Sequence, residues 1–234
     1  MAQSDQHKAH TPLTSSYYGF VRREIAPLLP QNAESILEVG AASGGTLKWL
    51  KSLFPKAVTT GVELNGEMRA ALSQNADIAF IGSIHDIIDR LEKYDLIILL
   101  DILEHLSDPL DTLRQLCGKL SDQGTVIVSL PNVAHLSVLL PLLFKRQFEY
   151  QDSGILDRTH MRFFTERSAI SLLNDASLHV TNGIAIGLSG PKSRFLNIVS
   201  FGLIRHYLTK QYIMSGIKQN KIINNNKFMW YFES

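Results

Sequence analysis

Glu38-Val39-Gly40-Ala41-Ala42-Ser43-Gly44-Gly45 follows a short apolar run at 35–39 and opens a stretch with helical periodicity. A strand-to-helix turn of this kind is where an open α/β sheet brings its backbone closest to a nucleotide. Glycines are needed there because a Cβ blocks the approach and because tight turns call for positive φ. Glu63 closes the next apolar run, at a place where a carboxylate can accept both hydroxyls of a ribose. The dinucleotide-binding fingerprint asks for glycine where this chain has Ala42, and it has no use for an acid at the base of the loop.

Glu38 stands at that base. Its charge is hostile to a pyrophosphate and compatible with an amino group or a sulfonium. S-adenosylmethionine (SAM) carries both and lacks a pyrophosphate, so the loop and its two acids read as a SAM site. A nucleotide-dependent oxidoreductase is the reading that stays behind it.

Outward from the loop, short apolar runs alternate with amphipathic stretches, the pattern of a doubly wound α/β sheet covered by helices on both faces. Strands are expected at 35–39, 57–63, 78–81, 94–100 and 125–130, with helices at 17–29, 44–53, 65–74, 84–91 and 108–120. Asp108 and Pro109 supply a helix start, and 121–124 a turn. Past Leu130 the rhythm breaks: 131–164 has no clear strand and is dense in aromatic, His and Arg residues, as a substrate-binding insertion would be. A helix opened by Thr165, a strand at 179–186, a helix at 193–207 and a last strand at 211–217 restore it. The expected organisation is a flexible segment at 1–16, a single domain at 17–217 and a tail at 218–234.

A chain of 234 residues with 45% hydrophobic and 19% charged residues buries a core unaided. Twenty-three Lys and Arg against 22 Asp and Glu leave a formal charge of +1, which offers no field to steer a nucleic acid. Cys117 is the single cysteine and lies in a helical pattern, so a reducing cytoplasm is expected. No apolar window reaches spanning length, and the N-terminal stretch lacks the core of a secretory signal.

Further blocks carry a resemblance: Tyr94-Asp95-Leu96-Ile97 running to Asp101-Ile102-Leu103-Glu104-His105, Leu130-Pro131-Asn132-Val133, and Leu156-Asp157-Arg158-Thr159-His160-Met161-Arg162-Phe163-Phe164. Together with the glycine loop, over about 15–217, the chain resembles the class I SAM-dependent methyltransferases, and within them the bacterial branch of ubiquinone-biosynthesis-type O-methyltransferases. The resemblance implies a mostly parallel seven-stranded sheet with an antiparallel C-terminal strand and a lid of helix and loop. It also implies cofactor contacts from Glu38, Gly40, Ala41 and Gly44 in the loop, and from Glu63 and Leu64 at ribose and adenine. Ser83 and Ile84 would flank the adenine, Asp101 and Ile102 the methionine portion, with Tyr17 and Arg22 over the cofactor. Ser83 stands where the family usually has an aspartate that binds the adenine amino group, so adenine recognition would rest on the Ser83 hydroxyl, on backbone or on the neighbouring Asp86.

Methyl transfer to a hydroxyl needs alignment, exclusion of water and a base. His105, His135 and His160 lie at or beyond the carboxyl ends of strands, and His135, which begins the insertion, is the first expectation for facing the acceptor. The expected acceptor is a small molecule, a sugar or glycan precursor before a quinone or phenol. A SAM-binding protein without turnover is the alternative suggested by Ser83 and Ala42. Linear spacing shows no metal-ligand pattern, and a homodimer is left open.

Overall fold

The computed structural model describes residues 21–219 and 229–232. In chain order its elements are β1 (Ser35–Val39), α1 (Gly45–Leu53), β2 (Val58–Glu63), α2 (Arg69–Asn75), β3 (Ile78–Ile81), α3 (Ile84–Ile87), β4 (Tyr94–Leu100), α4 (Pro109–Lys119) and β5 (Leu120–Pro131). They continue with α5 (Leu136–Leu140), α6 (Glu166–Asp175), β6 (Leu178–Ile186), α7 (Pro191–Val199), α8 (Arg205–Leu208), β7 (Gln211–Lys218) and β8 (Met229–Phe232). The strands form one sheet in the order β3-β2-β1-β4-β5-β7-β6-β8. Among the described strands only β7 runs antiparallel to its neighbours.

The central strands are apolar without alternation because both faces of the sheet are covered. Leu37, Val39, Ile97, Leu99, Val126 and Val128 pack into one buried cluster. Their chain neighbours Ile36, Leu96, Ile98, Leu100 and Ile127 pack into a second one. Successive side chains on a strand point to opposite faces, so the two clusters are the two layers of helix-on-sheet core. Each fully buried aliphatic side chain contributes about 2 kcal/mol. The order reverses between β1 and β4, whose carboxyl ends therefore form the crevice where ligands of such sheets bind.

The doubly wound sheet with its antiparallel C-terminal strand is as expected, and an eighth strand joins it. β8 comes from the tail and pairs in parallel with β6, from Asn182 with Met229 to Ala185 with Phe232. Trp230 packs over Gly183, where a Cβ would come within 2.3 Å of the indole ring, and its Nε1 donates to Glu166 Oε1 at 2.9 Å. β5 begins at Leu120, so the expected turn at 121–124 is absorbed into the strand through a register shift against β4. Ser121 Oγ holds that detour by donating to Asp95 at 2.8 Å.

The helix expected at 193–207 breaks into α7 and α8 because Phe201 and Gly202 take positive φ, 51° and 77°. The part of the 17–29 helix that is described is a 3-10 turn, Arg23–Leu28, with Pro27 inside it. Proline removes a backbone donor, which shortens such a helix. Among the described residues no helix is long and apolar enough to cross a membrane.

Candidate cofactor and acceptor site

The loop after β1 turns on three left-handed residues, Gly40 (φ 77°), Ala42 (φ 47°) and Gly44 (φ 79°). A Cβ on Gly40 would lie 2.1 Å from Ile102 Cδ1, so glycine is required there both by conformation and by the packing of the β4 end against the loop. Gly40 and Ala41 donate their N–H groups to Val62 O at 2.8 and 3.1 Å, tying the loop to β2. Glu63 completes the tie: one carboxylate oxygen accepts from Ala42 N at 2.8 Å and the other from Asn65 N at 2.7 Å. A carboxylate offers about four acceptor positions. Glu63 thus keeps capacity for a pair of hydroxyls while its orientation is fixed.

Glu38 lies buried below the loop, and its Oε2 meets no hydrogen-bond partner among the described residues. Burial pushes its carboxyl up to about 8, with the nearby Arg22 and a hydrogen bond from Thr46 pulling the other way. Across the crevice Asp101 holds an uncommon positive φ of 57°. Its Oδ1 accepts from Ser129 Oγ at 2.7 Å and from the Gln211 amide, and its Oδ2 accepts from Arg22 Nη1 at 2.7 Å. Arg22 also pairs with Glu24, so it spans the mouth of the crevice as an ion-paired strap.

The other expected cofactor residues divide by burial. Leu64 is 73% exposed at the end of β2, an uncovered apolar face beside Glu63. Ala41 and Ile84 are buried in the two core layers, so Ala41 can meet a ligand only through its backbone. Ile102 is partly buried against the core and abuts Gly40. Ser83 caps α3, its Oγ accepting from His85 N at 3.3 Å, which ties up part of the hydroxyl's capacity. Tyr17 lies outside the described residues.

The three histidines differ in which nitrogen is free. His135 caps α5, its Nδ1 accepting from Ser137 N at 3.1 Å, so the ring proton of the neutral form sits on Nε2. Burial and Lys210 hold its pKa below the usual imidazole value. His105 and His160 have the opposite tautomer. Their Nδ1–H groups donate to the carbonyls of Thr159 at 3.2 Å and Ile155 at 3.0 Å, which leaves each Nε2 with its lone pair. Burial first, and then the neighbouring His160, lower the pKa of His105. The two rings meet edge to face with centroids 4.8 Å apart.

These rings lie 55 positions apart in the chain, and backbone hydrogen bonds bring them together: Met161 N and Arg162 N donate to Glu104 O at 2.8 and 3.0 Å. Arg162 Nε adds a bond to Ser107 O at 3.0 Å. Phe163 meets the His160 ring and Phe148 edge to face, Phe148 meets Tyr150 in the same way, and Phe148 and Tyr150 stay open to solvent. Ser129 and Gln211, which orient Asp101, and the buried Glu104 had no role in the sequence reading. Glu104 was visible as the neighbour of His105, whereas Ser129 reaches Asp101 through the pairing of β5 with β4, and Gln211 through that of β7 with β5.

A family model described as "Methyltransferase domain" matches residues 14–182. The chain belongs to this methyltransferase family. Its cofactor is S-adenosylmethionine. Solved structures agree on the fold. A SAM-dependent methyltransferase from Archaeoglobus fulgidus is 15% identical, with 84% of this chain and 91% of that chain covered and a TM-score of 0.62. The plantazolicin methyltransferase BamL, solved with a triazolic desmethylPZN analog and SAH, is 16% identical over 87% and 84% of the two chains, with a TM-score of 0.57. A TehB-like SAM-dependent methyltransferase from Corynebacterium glutamicum is 12% identical over 84% and 85%, with a TM-score of 0.52. No curated protein matches the sequence.

The methyltransferase site suits that cofactor. The orphaned Glu38 oxygen, the clamped Glu63 and the uncovered Leu64 follow one another along the crevice as acceptor, acceptor and apolar face. Those are the partners that an amino group, a ribose and an adenine need.

Proposed function

We propose that this methyltransferase transfers the methyl group of SAM to a hydroxyl of a small molecule, with a sugar or glycan precursor as the favoured acceptor. The observation that carries the reading is the pair His105 and His160, each holding a free Nε2 just beyond the Asp101 end of β4. In the reaction the acceptor oxygen bonds to the methyl carbon, the carbon–sulfur bond breaks with its electron pair going to sulfur, and the hydroxyl proton leaves to a base. His105 takes that role, because its Nε2 keeps its lone pair and burial holds its pKa below the usual imidazole value. His135 serves the acceptor indirectly by capping α5 at the start of the insertion.

Glu38, Gly40, Gly44, Glu63, Leu64, Asp101, Ile102 and Arg22 hold the cofactor, with Tyr17 expected above it and Ser83, Ile84 and Asp86 around the adenine. The exposed rings of Phe148 and Tyr150, set edge to face, offer an apolar ring face to a sugar or a phenol ring. The near-neutral charge speaks for a small acceptor over a nucleic acid, and the half-buried free Cys117 for a reducing compartment. Labelled SAM offered with panels of glycosides, phenols and quinols tests the reading. Methylated glycosides are expected, phenol products would move the assignment to the second acceptor class, and tight SAM binding without any product would mark a protein without turnover.

A further inference from the structure

The connection between β6 and β7 turns its apolar side chains outward. α7 has no buried residue. Its partly buried positions are Ser193 and Asn197, one turn apart, whereas Phe195, Ile198 and Val199 on another face are each more than half exposed. A helix that packs on a core shows the reverse arrangement. In the turn that follows, Phe201 is 94% exposed and Leu203 is exposed too. An apolar patch of this kind with a charged rim marks a surface that something else covers. The charge indicates what. From 187 to 210 the chain carries Lys192, Arg194, Arg205 and Lys210 and no Asp or Glu, and the acids that bracket this stretch in the sequence are as distant as Asp175 and Glu233.

The connection also belongs to the crevice end of the sheet. It leaves β6 at Ile186 and enters β7 at Gln211, two residues that pair with each other, and Gln211 pairs as well with Pro131 at the end of β5. Asn132, next in the chain, donates its side-chain amide to His206 O at 2.7 Å and to Thr209 O at 2.8 Å. We propose that α7 and the turn after it dock on an anionic lipid bilayer, with the apolar side chains at the boundary of headgroups and acyl chains and the cations against lipid phosphates. A helix that carries apolar residues on one face and Lys or Arg beside them is suited to lie in that interface. Cations beside it add attraction to anionic headgroups. A second copy paired through the same face would instead set cations against cations. The docking rests on this patch and not on the choice of acceptor.

The test mixes the full chain with lipid vesicles and reads co-sedimentation, without SAM or acceptor. Binding is expected to vesicles of equal parts phosphatidylcholine and phosphatidylglycerol, and should be roughly tenfold weaker or more on phosphatidylcholine alone. The same loss is expected in the apolar double variant Ile198→Ser with Phe201→Ser, and in the charge double variant Lys192→Glu with Arg194→Glu. Thermal unfolding checks that each variant is folded. Where one is not, salt on the wild-type chain decides: weaker binding at about 0.5 M supports the docking and unchanged binding refutes it. No binding by the folded wild-type chain, equal binding to the two vesicles, or full binding by either variant would overturn the proposal. A dimer in analytical ultracentrifugation that the serine variant dissociates, with no vesicle binding, would overturn it in favour of a second copy. Vesicle binding without methyl transfer breaks the functional reading alone, and methyl transfer without vesicle binding breaks the docking alone.

Discussion

The two sides of the crevice are built in opposite ways. On the cofactor side, Glu38, Gly40, Glu63 and Asp101 sit within a residue or two of a strand end, and hydrogen bonds from neighbouring strands set their positions. On the acceptor side, His160 and the aromatic cluster belong to a long irregular segment that is pinned to the β4 end by two bonds to Glu104 O. Parallel strands fix function through sheet register. Irregular segments fix it through a few backbone contacts between distant residues, and these carry no periodic trace in the sequence.

The widest gap between the two sides should appear in turnover. His105→Ala should lower the rate by roughly 10²- to 10⁴-fold while SAM affinity measured by calorimetry changes little. A large loss of SAM affinity would merge the two sides into one functional unit. The cofactor side should in turn be rigid. Gly40→Ala combines a left-handed backbone with a clash on Ile102 and should cost about 2 to 5 kcal/mol in urea unfolding, part of it recovered by adding Ile102→Ala. No recovery would show that the backbone, not the packing, demands the glycine.

Glu63→Ala should weaken SAM binding by about 1 to 3 kcal/mol, the usual range for hydrogen bonds to a charged group. Unchanged affinity would place the ribose elsewhere.

A smaller effect tests the buried acids. Glu38 and Glu104 are both pushed up to about 8 by burial, whereas an unfolded chain releases those protons near the ordinary carboxyl value. Between these limits the folded state holds more protons, so stability falls as pH rises. The lowered pKa values of His105 and His135 act in the other direction, but only below about pH 6.5. From pH 6.5 to 8 the chain should lose up to about 1 kcal/mol per unit for each acid, and Glu104→Gln should remove its share of the slope. An identical slope in the variant would mean that Glu104 is ionised in the folded state.

The smallest change separates the histidines themselves. His135→Ala removes a helix cap and should cost about 0.5 to 1 kcal/mol of stability. Its loss of turnover should be at least about tenfold smaller than that of His105→Ala. A larger turnover loss at His135 would return the base to the start of the insertion.

Much of the fold was legible because its signals are local. The apolar runs of β1, β3 and β4 end where the sequence pattern ends, and Asp108 and Thr165 cap α4 and α6 through their own side chains. The break at Phe201 and Gly202 was not legible, since a non-glycine residue at positive φ has no reliable sequence signature. Nor were the tautomers. His105, His135 and His160 look alike in the sequence, and only a carbonyl or an amide brought in from another segment decides which nitrogen keeps its lone pair.

The eighth strand carries a consequence for how the chain behaves outside its active site. β6 is nine residues long, and without β8 its outer side would present a row of unpaired backbone donors and acceptors to solvent. Such an edge is a template for pairing with another chain. Trp230, seated over Gly183 and held by Glu166, thus acts as a latch against self-association. Loosening it with Trp230→Ala should first appear as light scattering at high protein concentration, before any methyl-transfer assay registers a change.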